Sequence, residues 1–206
     1  MQFSLWLALL GASTIISFTP GAGAINTMSN ALHAGFRRSL WGILGQQAAL
    51  VIHVAIVALG LGLLVSNSPT LFAAIKYAGA AYLIYLGLRQ FFAKPHGSAA
   101  VAEARRDEPA LSMFRRGLWV NLLNPKAIVF FLAFIPGFIR LDAPQLPQYL
   151  VVIATVVAVD ILVMWFFFAA AARSFQRFTG TVRGLTAMNR TFGVLFIGVG
   201  LLLALA

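Results

Sequence analysis

The sequence predicts an all-α polytopic membrane protein with about six transmembrane helices. Hydrophobic residues make up 61% of the 206-residue chain and charged residues only 10%, and the mean hydropathy is +0.90. A soluble domain carries about 25% charged residues, so that class is excluded. The length accommodates about six spans of roughly 20 residues, because the hydrocarbon core of a bilayer is about 30 Å thick. We expect residues 1–206 to form a single transmembrane domain.

Prolines interrupt two of the predicted spans. The first span covers Phe3–Phe18 and stops before Pro20 and Gly21. The fourth span, about Gly117–Ile139, contains Pro125. Proline lacks a backbone donor and clashes with the preceding turn of a helix, and glycine tolerates non-helical torsions. We therefore predict that the first and fourth helices are broken.

The other predicted elements are apolar segments and hydrophilic connectors. The remaining spans are Leu40–Val65, Leu71–Phe92, Gln148–Ala172 and Thr191–Leu205, and a short helix, Ala24–Ala34, follows the first break. Residues 93–116 form the longest hydrophilic stretch, which we interpret as a cytoplasmic linker between a first half, 1–92, and a second half, 117–206. A basic connector, Arg173–Arg190, precedes the last span.

Basic residues lie almost entirely on one side of the predicted bundle. Most of the 15 lysines and arginines fall in the connectors after the first, third and fifth spans, whereas the opposite side holds Arg140. Cytoplasmic loops of membrane proteins are enriched in Lys and Arg, so we expect both termini outside the cytoplasm. The basic residues are scattered over span ends and form no basic face, which argues against a nucleic-acid partner.

The two proline breaks predict an inverted repeat and a ligand path. With three spans in each half, the second half enters the membrane from the side opposite to the first, as in transporters built from 3+3 inverted repeats. Non-helical backbone is tolerated at membrane depth only where it is buried in protein or lines a polar cavity. Pro20, Gly21 and Pro125 are therefore candidates for lining a substrate site between the halves.

Asp160 and Lys126 are ionisable residues placed well inside predicted spans. An ionisable group at membrane depth is costly and is by default a functional candidate. A zwitterionic amino acid carries one carboxylate and one ammonium, and this pair offers a matching cation and anion. Two structural alternatives stay open: Asp160 could hold helices together through an ion pair or a protonated carboxyl, and Lys126 could cap carbonyls of a broken helix.

Several uncharged polar residues are further candidates. Gln46 and His53 lie seven positions apart, on one face of the second span, and His53 is either a proton relay or a packed histidine. Asn26, Asn121 and Asn124 flank the breaks. These asparagines could contact a ligand directly or satisfy backbone groups exposed at the breaks.

Enzyme, metal and cofactor chemistry find no support in the sequence. The chain has no cysteine, and it contains no phosphate loop, no Gly-x-Ser-x-Gly elbow and no His-Glu-x-x-His motif. The histidines at 33, 53 and 96 are too dispersed to suggest a metal site. We predict a protein that is not an enzyme and uses no cofactor.

Four motifs carry a resemblance to a known family. These are Pro20-Gly21-Ala22-Gly23-Ala24-Ile25-Asn26-Thr27-Met28, Gly79-Ala80-Ala81-Tyr82-Leu83-Ile84-Tyr85-Leu86-Gly87, Val120-Asn121-Leu122-Leu123-Asn124-Pro125-Lys126 and Val159-Asp160-Ile161-Leu162-Val163-Met164. They resemble the lysine-exporter superfamily and, within it, the homoserine and threonine efflux branch. The resemblance covers essentially the whole chain. Many members carry Pro-Gly-Pro at the first break, whereas this chain has Pro20-Gly21-Ala22, which removes one constraint on the kink.

The resemblance implies an exporter in the bacterial inner membrane. The distribution of basic residues then predicts that both termini are periplasmic. The exporter's cargo would be homoserine, homoserine lactone, threonine or similar small amino acids, driven by proton antiport. In that mechanism Lys126 would attract the substrate carboxylate, Asp160 would alternate between the substrate ammonium and a proton, and His53 would be a second proton-coupling candidate. The alternative is a passive channel for small zwitterionic metabolites. The implied partners are the substrate, protons and the lipid bilayer, and homo-oligomerisation is left open.

Overall fold

The computed structural model describes residues 1–67, 69–93, 108–140, 142–174 and 181–205, and these residues form helices joined by short turns. In chain order the helices are α1 (Phe3–Phe18), α2 (Ala22–His33), α3 (Ser39–Asn67), α4 (Pro69–Phe91), α5 (Ala110–Leu122), α6 (Pro125–Val129), α7 (Gln145–Leu162) and α8 (Val182–Leu205). Helix α6 continues through a π-helical segment, Phe130–Phe134, into a 3-10 turn, Ile135–Phe138. Helix α7 continues into a π-helical segment, Val163–Ala169.

The predicted interruptions of the first and fourth spans are confirmed. Helices α1 and α2 are bent by 58° at Thr19–Gly21, and α5 and the segment from Pro125 to Phe138 are bent by 55°. Two stretches, Ser39–Gly60 and Gln145–Ala169, are each long and apolar enough to cross a membrane unaided. The described residues therefore provide up to four spans if each bent pair counts as one, and the six-span count and the inverted repeat stay predictions.

Two predicted boundaries are wrong. Helix α5 begins at Ala110, before Gly117, so the end of the expected linker is helical. Ser112 Oγ donates a hydrogen bond to the Glu108 carboxylate at 2.6 Å, which stabilises the first turn of the helix. Helix α8 begins at Val182 within the expected connector, where Thr181 Oγ1 accepts a hydrogen bond from the Gly184 amide at 3.0 Å, as an N-cap residue does. Linker residues 94–107 and connector residues 175–180 lie outside the described part of the chain.

Small residues bring the helices into close contact. The most extensive helix contacts join α4 to α8 and α3 to α5. A Cβ atom added to Gly87 of α4 would lie 2.7 Å from the Gly193 carbonyl of α8, and one added to Gly117 of α5 would overlap the Gly42 carbonyl of α3. Backbone-to-backbone approach of this kind is typical of helix pairs in membranes. It fixes the rotation of α3 and so decides which of its polar residues face the two breaks.

Candidate functional site

The two helix breaks meet inside the bundle. Lys126, from the second break, donates from Nζ to the backbone carbonyls of Ile16 at 3.1 Å and Thr19 at 2.7 Å, at the end of α1. A Cβ atom added to Gly21 would lie 3.4 Å from Lys126 Cε. The last carbonyls of a helix lack intrahelical partners. Lys126 therefore caps the carbonyl end of α1. This is the structural role that the sequence analysis left open for it.

The second break is organised by two asparagines. Asn124 is the N-cap residue of α6, with its Oδ1 accepting from the Lys126 amide at 3.1 Å, and Pro125 opens the helix where its missing N–H costs nothing. Asn121 Nδ2 donates to the backbone carbonyl of Gln46 at 3.1 Å, and Asn124 Nδ2 donates to Asn121 Oδ1 at 3.4 Å. Asn124 thus holds backbone at the break, and Asn121 joins the break to the backbone of α3.

Asp160 ties three helices together. Its Oδ1 accepts from Ser17 Oγ of α1 at 2.9 Å, and its Oδ2 accepts from Gln47 Nε2 of α3 at 2.8 Å. The residue is 8% exposed. Asp160 and Lys126 attract each other electrostatically, but their hydrogen bonds all go to other groups. The buried charges are neighbours and not a direct ion pair.

A small cavity lies between the breaks and α7. Its volume is about 40 Å³. The polar residues in its lining are Ser17, Gln46, Asn121, Asn124, Lys126 and Asp160. A cavity needs about 10–15 Å³ to hold one water, so this one has room for a few waters. It is far below the roughly 300 Å³ at which small-molecule sites begin, and so excludes an amino acid. The cavity must widen before any solute of that size reaches Asp160.

A wide cavity adjoins the same breaks. Its volume is about 340 Å³, and its lining includes Pro20, Gly21, Pro125 and Lys126 together with residues from the end of α4. Lys126 lines both cavities. Most of the predicted site residues are therefore divided between the wide cavity and the small cavity, and the Lys126 side chain lines both.

Asn26 and His53 line neither of these two cavities. Asn26 Oδ1 accepts a hydrogen bond from Arg116 Nε at 3.1 Å. Arg116 also pairs with both Glu108 carboxylate oxygens at 2.8 Å and donates to Asn30 Oδ1. His53 Nε2 lies 3.3 Å from the Leu122 carbonyl. The imidazole also stacks on the Phe131 ring, with 5.5 Å between centroids, which is the packed arrangement.

Sequence reasoning did not select three residues that the structure brings to the site. Ser17 and Gln47 are the hydrogen-bond donors to Asp160, and Arg89 lines the wide cavity. A polar residue within an apolar helix was the available signal for Gln47, which lies about 100° around α3 from Gln46. No sequence signal distinguished Arg89 from the other basic residues at span ends.

Broken apolar helices, with Lys126 at one break and the buried carboxyl of Asp160 lining the same cavity, are typical of membrane transport proteins with a site at interrupted helices. The family model described as "LysE type translocator" matches residues 14–206. The chain therefore belongs to the LysE family of translocators and is a transporter, not an enzyme.

Curated relatives match the chain over nearly its full length. It is 42% identical to the homoserine/homoserine lactone efflux protein of Salmonella typhimurium, covering 100% of this chain and 98% of that protein. It is 38% identical to a membrane protein of Vibrio cholerae, covering 100% and 99%, and 30% identical to a membrane protein of Bacillus subtilis, covering 95% and 96%. No solved structure matches the chain significantly.

Proposed function

We propose that the protein exports homoserine, homoserine lactone, threonine or similar small amino acids across the bacterial inner membrane in exchange for protons. The observation that carries this proposal is the meeting of both helix breaks at Lys126, beside the buried carboxyl of Asp160. The 42% identity to an efflux protein for homoserine and its lactone supports the choice of cargo.

Lys126 supplies a cation that can exchange partners. Its ammonium is held by two neutral carbonyl oxygens, and a hydrogen bond to a charged acceptor is roughly twice as strong as one to a neutral acceptor. A substrate carboxylate can therefore displace at least one carbonyl. Release of the Thr19 carbonyl loosens the cap between the two breaks, which links substrate binding to movement of the bent helices.

Asp160 supplies the acid that alternates between the substrate ammonium and a proton. Its two oxygens accept from Ser17 and Gln47, which suits the ionised form. The other amide atom of Gln47, Oε1, is buried with no hydrogen-bond partner. A half-turn of that amide presents Oε1 as an acceptor for a protonated Asp160. The same two side chains can thus satisfy both protonation states without moving a helix.

The proposed orientation of the protein in the membrane follows from the distribution of its basic residues. Arg37 and Arg38 lie between α2 and α3, and other basic residues lie at the helix ends on the same predicted side. By the positive-inside rule this side is cytoplasmic and both termini are periplasmic. Export then runs from the basic side of the bundle, through the breaks, to the side of the termini.

Transport against a gradient tests the proposal. Purified protein in proteoliposomes is given labelled homoserine and an imposed pH gradient. We expect the wild type to accumulate homoserine above equilibrium and Asp160→Asn to lose that accumulation. Asp142→Asn is the matched control, because Asp142 is an exposed loop acid bonded to Arg140. A wild type that only equilibrates homoserine would contradict antiport and favour a passive channel.

His53 is examined in the same assay. Its ring contacts the Leu122 carbonyl and Phe131, whereas the hydrogen bonds of Asp160 go to Ser17 and Gln47. We therefore expect His53→Gln to retain accumulation against the gradient. Loss of accumulation with equilibration retained would assign His53 to the proton path.

A further inference from the structure

The wide cavity has a one-sided charge. The charged residues in its described lining are Lys126 and Arg89, both cationic. Arg89 is exposed and, among the described residues, makes no hydrogen bond or ion pair. A guanidinium with no partner among the described residues, lining a cavity with a second cation, favours an anionic ligand.

Neighbouring residues of the same helix end are already engaged. Gln90 Nε2 donates to Asn189 Oδ1 at 2.8 Å, and Asn189 Nδ2 donates to the Ala93 carbonyl at 3.2 Å. These bonds fasten the end of α4 to α8 and hold the backbone that carries Arg89. Arg89 is therefore an exposed cation on a helix end that is held in place.

The size of the cavity suits a small metabolite. Small-molecule sites generally measure about 300–1,000 Å³, and this cavity of about 340 Å³ is near the lower limit. Its lining runs from Arg89, in the last turn of α4, to Pro20, Pro125 and Lys126 at the breaks. A solute arriving from the basic side of the bundle meets Arg89 before it meets Lys126.

We propose that Arg89 is a specificity-determining residue that binds the carboxylate of amino-acid substrates in the wide cavity and delivers it to Lys126. A guanidinium forms paired hydrogen bonds with a carboxylate. Homoserine has a free carboxylate, whereas its lactone has none because that group is esterified within the ring. Arg89 therefore selects between two cargoes that share the same carbon skeleton. The inference rests on the proposed export function.

Competing substrates in one preparation test this selection. We expect Arg89→Gln to raise the KM for homoserine about fivefold, the scale of a partly exposed charge pair, with the maximal rate and the KM for the lactone unchanged. Arg89→Lys keeps the charge but not the paired hydrogen bonds, so its KM for homoserine should lie between those of the wild type and Arg89→Gln. Arg115→Gln is the matched control, since Arg115 is exposed on α5 and outside the cavity lining. Assays are kept short relative to lactone hydrolysis.

Two results would overturn the inference: an unchanged KM for homoserine in Arg89→Gln, or an equal change for homoserine and lactone. Chemical protection separates this failure from a failure of the proposed function. Phenylglyoxal modifies exposed arginines, and mass spectrometry measures its addition to Arg89. Protection by homoserine but not by the lactone supports the inference even if the wild type transports neither, and equal protection or none contradicts it.

Discussion

Lys126 Nζ donates a 2.7 Å hydrogen bond to the backbone carbonyl of Thr19, so the second helix break caps the first. The two residues are separated by 107 positions, and the contact joins both halves of the chain at one point. A cationic side chain is suited to the carbonyl end of a helix, where partial negative charge accumulates. The same ammonium lines both cavities, so the structural cap and the proposed substrate contact are one group.

Removal of this cap is expected to cost both stability and transport. Lys126→Met keeps the length of the side chain but leaves the Thr19 carbonyl without its donor, at about 1–3 kcal/mol for a buried unsatisfied group. The Ile16 carbonyl keeps its bond from the Thr19 amide. We expect a lower melting temperature in detergent and loss of homoserine transport. Lys76→Met is the control, because Lys76 lies over the Tyr77 ring on α4, away from the breaks. Unchanged melting and transport in Lys126→Met would show that the cap is dispensable.

Gln47 is expected to be nearly as important for transport as Asp160. Gln47→Leu removes the donor to Asp160 Oδ2, and a hydrogen bond to a charged group contributes about 1.5–3 kcal/mol. This loss corresponds to a fall of roughly tenfold or more in proton-driven transport. Gln145→Leu is the control, because it makes the same substitution at the start of α7, outside the site. Full activity in Gln47→Leu would separate Gln47 from the mechanism.

The contact between α3 and α5 should tolerate no added methyl group. A Cβ atom at Gly117 would overlap the Gly42 carbonyl, whereas one at Gly11 of α1 would meet nothing within 4 Å. We expect Gly117→Ala to destabilise the protein by about 1–3 kcal/mol, the range for overpacking. Gly11→Ala should be neutral or slightly stabilising, because alanine favours helix over glycine. Equal melting temperatures for the two variants would contradict the close approach.

Transport should require movement of α2 away from α5. The small cavity, of about 40 Å³, has no room for an amino acid, and Gly23 and Ala24 of α2 form part of its wall. Arg116 of α5 donates to Asn30 of α2, so these positions are in contact. The chain has no cysteine, which allows a clean crosslink between Asn30→Cys and Arg116→Cys.

We expect a short reducible crosslinker at these positions to stop homoserine transport, and a reductant to restore it. The two single-cysteine variants, treated in the same way, control for the loss of the Arg116 contacts. Undiminished transport in the crosslinked protein would show that substrate reaches the breaks by another movement.

Local chemistry was sufficient to predict the interrupted helices and the buried charged residues. Proline stops a helix regardless of its surroundings, and so the bends of 58° and 55° fall at Pro20 and Pro125 as expected. Asp160 and Lys126 were candidates for the functional site because an ionisable group is costly at membrane depth. The starts of α5 and α8 were not predicted, because the polar residues that suggest a connector also form stable first turns, as Ser112 and Thr181 do.

The sequence by itself determined an apolar helical membrane protein with two proline breaks and a buried acid and base, because these features depend on composition and on short segments. Only the tertiary structure decided which groups those charges bind. Gln46 and Gln47 are adjacent in sequence, and the rotation of α3, set by its glycine contacts with α5, directs Gln47 to Asp160 and Gln46 to the Gly23 carbonyl. Residues so far apart along the chain become hydrogen-bond partners through helix packing, which short sequence patterns do not predict.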